Sequence, residues 1–233
     1  MTDREVFLDY LAEKSGRPRH QLKDHPLVPV NDLPESTMSG LSQDELLEVA
    51  RRNAPAVHVN FQTCTASELP GALDSFVSAK AQGHLLLPTD DENFAEFGLE
   101  SWREGLDPKP TYWVPAASRE TNITTASQAQ AAIGFADFLC AESCTITAPT
   151  TPGQGRAFHF LPVNYLSIIR KSKIVPRTRQ AMDYYDPAIK SGKLTTSNLN
   201  FITGTSSTGD IEMVLVVGVH GPLEMTYLVV TDR

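Results

Sequence analysis

Residues 57–87 read VHVNFQTCTASELPGALDSFVSAKAQGHLLL, and this stretch predicts a strand, a helix and a second strand in succession. Val57–Phe61 and His84–Leu87 are short apolar runs of the length that strands usually have. Between them, Ser67 is placed to cap a helix that ends near Gly83. Strands that alternate with helices in this way favour a parallel sheet.

The alternation continues towards the C-terminus and predicts an α/β fold, a mostly parallel open sheet with helices on both faces. The last two strands are separated only by residues 220–224, which is too short for a crossover helix, so we predict an antiparallel hairpin at one edge. The predicted elements are a short helix at Asp91–Phe97, a strand at Thr111–Val114, a helix from the capping-box pair Ser127 and Gln130 through Leu139, strands at Thr145–Ala148 and Val163–Ile169, a helix from Pro176 to about Tyr185, and strands at Phe201–Thr203, Met213–Val219 and Met225–Val230.

Residues 1–53 depart from this pattern and predict an N-terminal helical arm, with the α/β domain covering residues 54–233. Residues 2–14 have the spacing of an amphipathic helix. A second helix begins near Ser42, which forms a capping-box pair with Glu45. The proline-rich stretch between the two helices favours an extended segment. We interpret the arm as a packing or oligomerisation appendage rather than a catalytic region.

Composition excludes several classes of function. The formal net charge is -8 and the sequence pI about 5.2, and a chain this acidic repels nucleic-acid backbones. No apolar run approaches the roughly 18 residues that indicate a membrane span. The chain has 3 cysteines, an odd number that is too small for a disulfide framework. We therefore expect a cytoplasmic protein.

Two of four loops near predicted strands offer a carboxylate and an anion-binding turn. In an open α/β sheet, ligands bind beyond the carboxyl ends of the strands, so such loops are candidate sites. Glu142 is predicted either to act as a base or nucleophile or to tie its loop together. Gly153 and Gly155 flank Gln154 and would let the backbone approach an anion, while Arg156 offers a planar fork for carboxylate or phosphate. A tight turn with a salt-bridged arginine fits these residues equally well.

The other two loops follow later strands. Ser206 and Ser207 have hydroxyls that could cradle a phosphate or carboxylate, and Asp210 and Glu212 could bind a hydroxyl or a cation. A serine or threonine there could equally be the N-cap of a helix. His220 titrates near neutral pH and could move protons, although a lone histidine in a turn is more often structural.

The sequence holds no recognisable metal site. Cys140 and Cys144 are four residues apart, but the third cysteine is distant and no four-cysteine set exists for an iron–sulfur cluster. We predict buried thiols and no metal. A basic cluster could receive an anion or an acidic partner, although a solvated face is the commoner explanation; it contains Arg170, Lys171, Lys173, Arg177 and Arg179.

The candidate loops also carry a family resemblance. The runs AESCTITAPTTPGQGR (141–156), NFITGTSSTGDIE (200–212) and LVVGVHGPLEMTYLVV (215–230) resemble the LUD domain, in its lactate utilization protein C branch. The resemblance is strong over about the last hundred residues and looser over the hundred before them. The family usually has glycine at the position of Cys144, so this chain differs there in backbone preference or gains a reactive thiol.

The resemblance implies a fold shared with ribose-phosphate isomerases and CoA transferases. It also implies a subunit that acts beside two iron–sulfur lactate-utilisation proteins, which together oxidise L-lactate to pyruvate in bacteria. The clusters would belong to those partners, with no cofactor in this chain. The resemblance brings no established set of catalytic residues, so the site residues are inferred from the loops themselves.

Three functions stay open at this stage. In the first, the chain assists lactate oxidation in a complex, where Arg156 holds a small anion and His220 or Glu142 accepts a proton. In the second, it is a stand-alone transferase or isomerase acting on a CoA ester or a phosphorylated sugar. In the third, it is a non-catalytic assembly or regulatory subunit. The sequence leaves open whether the chain is an enzyme and how many copies assemble.

Overall fold

The computed structural model describes residues 3–19, 28–196, 198–211, 214–218 and 221–233. The chain divides into two compact units, residues 1–33 and 34–233. The helices are α1 (Asp3–Lys14), α2 (Leu33–Ser36), α3 (Gln43–Asn53), α4 (Leu69–Lys80), α5 (Asp91–Glu96), α6 (Glu100–Gly105), α7 (Arg119–Gln128), α8 (Arg156–Phe160) and α9 (Thr178–Lys190), with 3-10 turns at Ala54–Val57 and Lys171–Lys173. The strands are β1 (Val59–Cys64), β2 (Leu85–Pro88), β3 (Thr111–Trp113), β4 (Ala131–Phe135), β5 (Phe138–Cys140), β6 (Thr145–Pro149), β7 (Asn164–Arg170), β8 (Ile174–Val175), β9 (Leu199–Ile202), β10 (Ser207–Ile211), β11 (Val214–Val217) and β12 (Glu224–Val230).

The smaller unit contains α1, close to the predicted helix at residues 2–14. Acidic residues occupy its first turn and Lys14 its last, an order that complements the helix dipole. Arg19 approaches the helix and forms ion pairs with Glu5 at 2.5 Å and Asp9 at 3.0 Å. Among residues 3–14, no side chain of α1 is buried.

A six-stranded sheet with the order β1-β12-β7-β4-β2-β3 organises the larger unit, and every neighbouring pair in it is parallel. Successive strand residues point to opposite faces, so each strand contributes to two cores. Ala132 and Tyr165 pack into a core with α3, α7 and α8. Their neighbours Ile133 and Leu166 pack into a second core with α4 and α5. The predicted mostly parallel sheet with helices on both faces is therefore confirmed.

The helix predicted over residues 127–139 is wrong, because this stretch forms β4 and β5. The preceding helix is α7, and its cap is Ser118, whose hydroxyl accepts a hydrogen bond from the Thr121 N–H at 3.1 Å. Strand β4 is buried along its whole length and is therefore apolar at consecutive positions. A strand covered on both faces lacks the alternation that separates it from a buried helix.

The antiparallel hairpin predicted for the last two strands is also wrong. Strand β12 lies inside the large sheet, parallel to both β1 and β7. Its predicted partner, β11, pairs instead with β10, which forms where the sequence predicted a loop or a helix start. Spacing along the chain excluded a crossover helix between β11 and β12, but it could not show that β12 pairs with the distant strands β1 and β7.

A second, smaller sheet with the order β8-β5-β6-β9 packs against the same core as α3. Its pairs are antiparallel except for β5 with β8. The predicted capping box of α3 is present, and its residues Leu46, Leu47 and Ala50 are buried in that core. The division of the chain at residue 53 stays a prediction. In the part of the chain that the structure describes, no helix has the length and apolar character needed to cross a membrane.

Candidate functional site

The loop of residues 150–155 lies against the carboxyl ends of β2 and β3, which is where ligands bind in open α/β sheets. Gly153 accepts a hydrogen bond from the Thr89 N–H at 3.0 Å, and a Cβ at Gly153 would lie 1.8 Å from the Thr89 carbonyl oxygen. A Cβ at Gly155 would lie 2.1 Å from the indole ring of Trp113. Both glycines therefore permit close packing of the loop on the sheet.

Gln154 points into the protein instead of towards a ligand. Its side chain is 5% exposed and forms two hydrogen bonds of 3.0 Å, accepting from the Phe135 N–H and donating to the Phe135 carbonyl oxygen. Strand β2 pairs with β4 only at Ala131 and Ala132. The amide of Gln154 thus satisfies the backbone of β4 beyond the point where β2 stops pairing with it.

A groove of about 630 Å³ lies between α7 and α8, and Arg156 is one of the residues that line it. The groove has apolar walls that include Trp113, Ile123 and Phe160. Arg119, the first residue of α7, is its second cation. The guanidinium of Arg156 lies 5.8 Å from the centre of the Phe160 ring. Within the described part of the chain, neither arginine forms an ion pair, and both are exposed.

Asn122 holds α7 in place beside the groove. This buried side chain accepts a hydrogen bond from the Val114 N–H at 3.0 Å and donates one to the Val114 carbonyl oxygen at 2.9 Å. The end of β3 and the first turn of α7 are thereby linked, which fixes the position of Arg119. Sequence reasoning missed Arg119 and Asn122, although the cap at Ser118 would have placed both in the first turn and a half of a helix.

Glu142 lies far from this groove, in the turn between β5 and β6. Its carboxylate accepts a hydrogen bond from Arg177 Nε at 2.6 Å, and its carbonyl oxygen accepts one from Asn53 Nδ2 at 2.8 Å. Strand β6 separates Glu142 from Gly153–Arg156, and five residues of strand span roughly 17 Å. The structure therefore does not bring Glu142 and the arginine loop together.

The remaining predicted residues belong to the opposite end of the large sheet or to segments outside the described residues. Ser206 accepts a hydrogen bond from the Gly218 N–H at 2.7 Å, and a Cβ at Gly221 would lie 3.1 Å from Cβ of Ser206. The Leu223 N–H, two residues after Gly221, bonds the Val163 carbonyl just before β7 begins, so this region is at the amino end of the parallel strands. The last members of the predicted set are Ser207 and Asp210, which are in β10, and Glu212 and His220, which lie outside the described residues.

Cys144 has a φ of 48°, in the left-handed region that glycine adopts without strain. A glycine would therefore adopt this backbone conformation more readily than the cysteine that is present. The side chain is fully buried, and burial raises the pKa of its thiol to about 12. The backbone keeps the glycine-like conformation, and the added thiol packs in the core with Ile146.

We expect the folded protein to react slowly with a thiol-specific disulfide reagent at pH 8, although the chain has 3 cysteines. The thiolate is the reactive form, and burial raises the pKa of Cys140 to about 12 and that of Cys64 to about 11. Thiol titration before and after unfolding measures this. A fast-reacting thiol in the folded protein that disappears in a Cys144→Ser variant would contradict the expectation.

The chain matches the family model described as LUD domain over residues 47–230. It is 42% identical over 236 residues to lactate utilization protein C of Geobacillus kaustophilus, covering 99% of this chain and 97% of that protein. It is 36% identical over 239 residues to lactate utilization protein C of Bacillus subtilis, covering 99% and 97%. A crystal structure of a DUF162 family protein from Deinococcus radiodurans superposes with a TM-score of 0.54 and 18% identity, covering 82% of this chain and 99% of that one. This structural likeness concerns the fold alone.

Proposed function

Because the chain belongs to the LUD domain family, in its lactate utilization protein C branch, we propose that it is a subunit of a bacterial system that oxidises L-lactate to pyruvate. We propose that it acts with two iron–sulfur proteins and binds a small anion in the groove between α7 and α8. Electron transfer belongs to the partners in this proposal, because 3 cysteines are too few for a four-thiolate cluster.

The observation that carries the anion site is the pair of arginines on the groove. Arg119 and Arg156 both line it, and in residues 28–196 neither has a carboxylate partner. An exposed guanidinium binds carboxylate or phosphate through two parallel hydrogen bonds, and two such groups in an acidic chain concentrate anions locally. The apolar walls add binding free energy for a ligand that also carries a hydrocarbon part.

The volume of the groove favours a second candidate function as well. Cavities of roughly 300–1,000 Å³ hold ligands much larger than a three-carbon acid. A groove of about 630 Å³ with apolar walls and two cations suits a CoA ester, which joins phosphates to a long uncharged arm. A CoA-ester transferase, acting alone, would use the same two arginines.

Glu142 has a smaller part in this proposal than the sequence suggested, whereas the role of His220, which lies outside the described residues, stays a prediction. The carboxylate of Glu142 is paired with Arg177, and its backbone is tied to Asn53, which supports a structural role for the turn. Glu142 does not line the groove, and none of the described residues that line it is a histidine. We therefore propose that the groove binds the anion and that proton transfer depends on groups other than its described lining residues.

The double variant Arg119→Ala, Arg156→Ala is expected to weaken anion binding by about a hundredfold or more, since charge-assisted hydrogen bonds contribute about 1.5–3 kcal/mol each. Both side chains are exposed, so the melting temperature of the free protein should hardly change. Growth on L-lactate of a bacterium that carries the variant in place of its own homologous gene tests the function. Thermal shifts with L-lactate, pyruvate and acetyl-CoA identify the anion.

Lys190→Ala is the matched control, because Lys190 is an exposed cation on α9 and lies outside the groove. It should leave growth and the thermal shifts unchanged. Normal growth on L-lactate with the double arginine variant would overturn the proposed use of the groove. A shift with acetyl-CoA alone, without any growth defect, would favour the transferase.

A further inference from the structure

Helix α1 has an apolar stripe that is open to solvent. The stripe consists of four large side chains, each between 50% and 61% exposed: Val6, Phe7, Tyr10 and Leu11. Their spacing of three and four residues places them on one side of the helix. Single exposed apolar side chains are common on protein surfaces, whereas a contiguous apolar patch indicates an interaction surface.

The other side of α1 is contacted by the chain that follows the helix. Arg19 forms its ion pairs with Glu5 and Asp9 on that side. Leu8 and Ala12, which lie between these two carboxylates and the stripe, are half-buried and line a cleft together with Arg19. The segment that follows α1 therefore packs on the side of Glu5 and leaves the stripe exposed.

Opposite charges lie at the two ends of the stripe. Asp3 precedes Val6 by three residues and Lys14 follows Leu11 by three residues, a spacing that places both charges on the side of the stripe. Lys14 Nζ lies 5.3 Å from the centre of the Tyr10 ring, in agreement with this placement. Among the described residues, neither Asp3 nor Lys14 forms an ion pair, so both charges are available to a partner.

The stripe is complementary to itself, which is what an interface with two-fold symmetry requires. If two copies of α1 lie antiparallel about an axis between residues 8 and 9, Asp3 of one copy is opposite Lys14 of the other. The same axis pairs the apolar side chains of the two copies: Val6 with Leu11, and Phe7 with Tyr10. A parallel pair would instead bring like charges together at both ends. The charges therefore favour a second copy of this chain in the antiparallel orientation.

We propose that α1 pairs with α1 of a second copy of this chain, with the stripes in contact and an ion pair between Asp3 and Lys14 at each end. A helix of 12 residues is about 18 Å long, so this contact is smaller than the roughly 800 Å² per partner that a tight dimer buries. The dimer is consequently weak and forms as the protein concentration rises. The pairing does not depend on which ligand the groove between α7 and α8 binds.

Sedimentation equilibrium of the full chain over a wide range of protein concentrations measures the association. Val6→Glu places a charge in the contact, opposite Leu11 of the second copy, and is expected to weaken dimerisation by at least about tenfold. Val30→Glu is the matched control, because Val30 is 98% exposed and lies outside α1. It should leave dimerisation unchanged. Both changes are at exposed positions, so the melting temperature should hardly change in either variant.

Charge reversal tests the identity of the partner and the orientation of the pair. Asp3→Lys places lysines opposite each other at both ends of the dimer, and Lys14→Asp places aspartates there. At low ionic strength, each variant alone is expected to dimerise at least about threefold more weakly than the parent protein. An equimolar mixture of the two variants should recover the association of the parent, because both ends of the mixed dimer then carry opposite charges. A variant whose helix had melted would not recover in the mixture.

The proposal is overturned if the full chain stays monomeric at every concentration, if Val6→Glu and Val30→Glu have the same effect, or if the mixture associates no better than its components. If a monomeric chain bound an iron–sulfur protein and lost that binding in Val6→Glu, the stripe would belong to that partner instead of a second copy.

Discussion

Replacement of Gln154 by leucine is expected to lower the free energy of unfolding by about 3–5 kcal/mol, because it leaves a buried N–H and a buried carbonyl of Phe135 without partners. Each unsatisfied buried backbone group costs about 1–3 kcal/mol, and leucine fills nearly the same volume, so the lost hydrogen bonds account for the effect. Denaturant unfolding at pH 7 measures the change. Gln154, which the sequence predicted to bind an anion, instead stabilises the backbone of β4 at Phe135.

Gln128→Leu is the matched control for this prediction. Gln128 is exposed at the end of α7, so the same change of side chain there should alter the free energy of unfolding by less than about 0.5 kcal/mol. If Gln154→Leu were as stable as the parent protein but had lost a ligand, the original prediction of a binding residue would be correct instead.

The second prediction with a large expected effect is that His159 makes the folded state less stable at acid pH. This ring is fully buried, with Nδ1 2.9 Å from the Tyr165 oxygen and no partner for Nε2 among the described residues. Burial lowers the pKa of His159 from 6.5 to about 3. Between about pH 3 and pH 6.5, the unfolded chain therefore binds a proton on His159 that the folded chain does not bind. The folded state consequently loses stability as the pH falls below 6.5. The loss amounts to about 1.4 kcal/mol per pH unit while the window lasts.

Measurements of the free energy of unfolding between pH 7.5 and pH 4.5 test this, with His159→Leu as the variant. The parent protein should lose about 2–3 kcal/mol more than the variant over this range, whatever the variant's stability at pH 7.5. The raised pKa of Asp137 acts in the opposite direction, since a carboxyl protonated in the fold stabilises it at low pH, but it is common to both proteins and cancels. Parallel curves for the two proteins would contradict the prediction, because they would mean that His159 binds its proton equally well in the folded and the unfolded state.

The parallel sheet could be predicted because its signals are local. The unit from β1 through α4 to β2 lies within a few residues of its predicted positions, since short apolar runs and a helix between them are visible in the chain itself. The order of the strands is not a local property. The place of β12 depends on side chains of β1 and β7 that are distant in sequence, and no spacing rule reports them.

The candidate sites show the same limit. The rule that ligands bind at the carboxyl ends of strands correctly directed attention to loops, but it needs the direction of each strand and the identity of its neighbours. Arg156 was predicted, and it lines a groove. Glu142 and Ser206 were chosen by the same rule, yet the antiparallel β5–β6 pair and the β10–β11 pair turn their loops away from that edge.

The position of β12 also has a consequence for synthesis on the ribosome. Met225 pairs with Val59, so the segment that joins β1 to β7 emerges long after both of them. Until then, the nascent chain carries two parallel strands with unsatisfied edges and an apolar face on each side, a state prone to aggregation. Closure of the sheet must therefore follow translation of nearly all the residues described here, and contacts this distant in sequence form slowly. Chaperone protection of the growing chain would matter most in that interval.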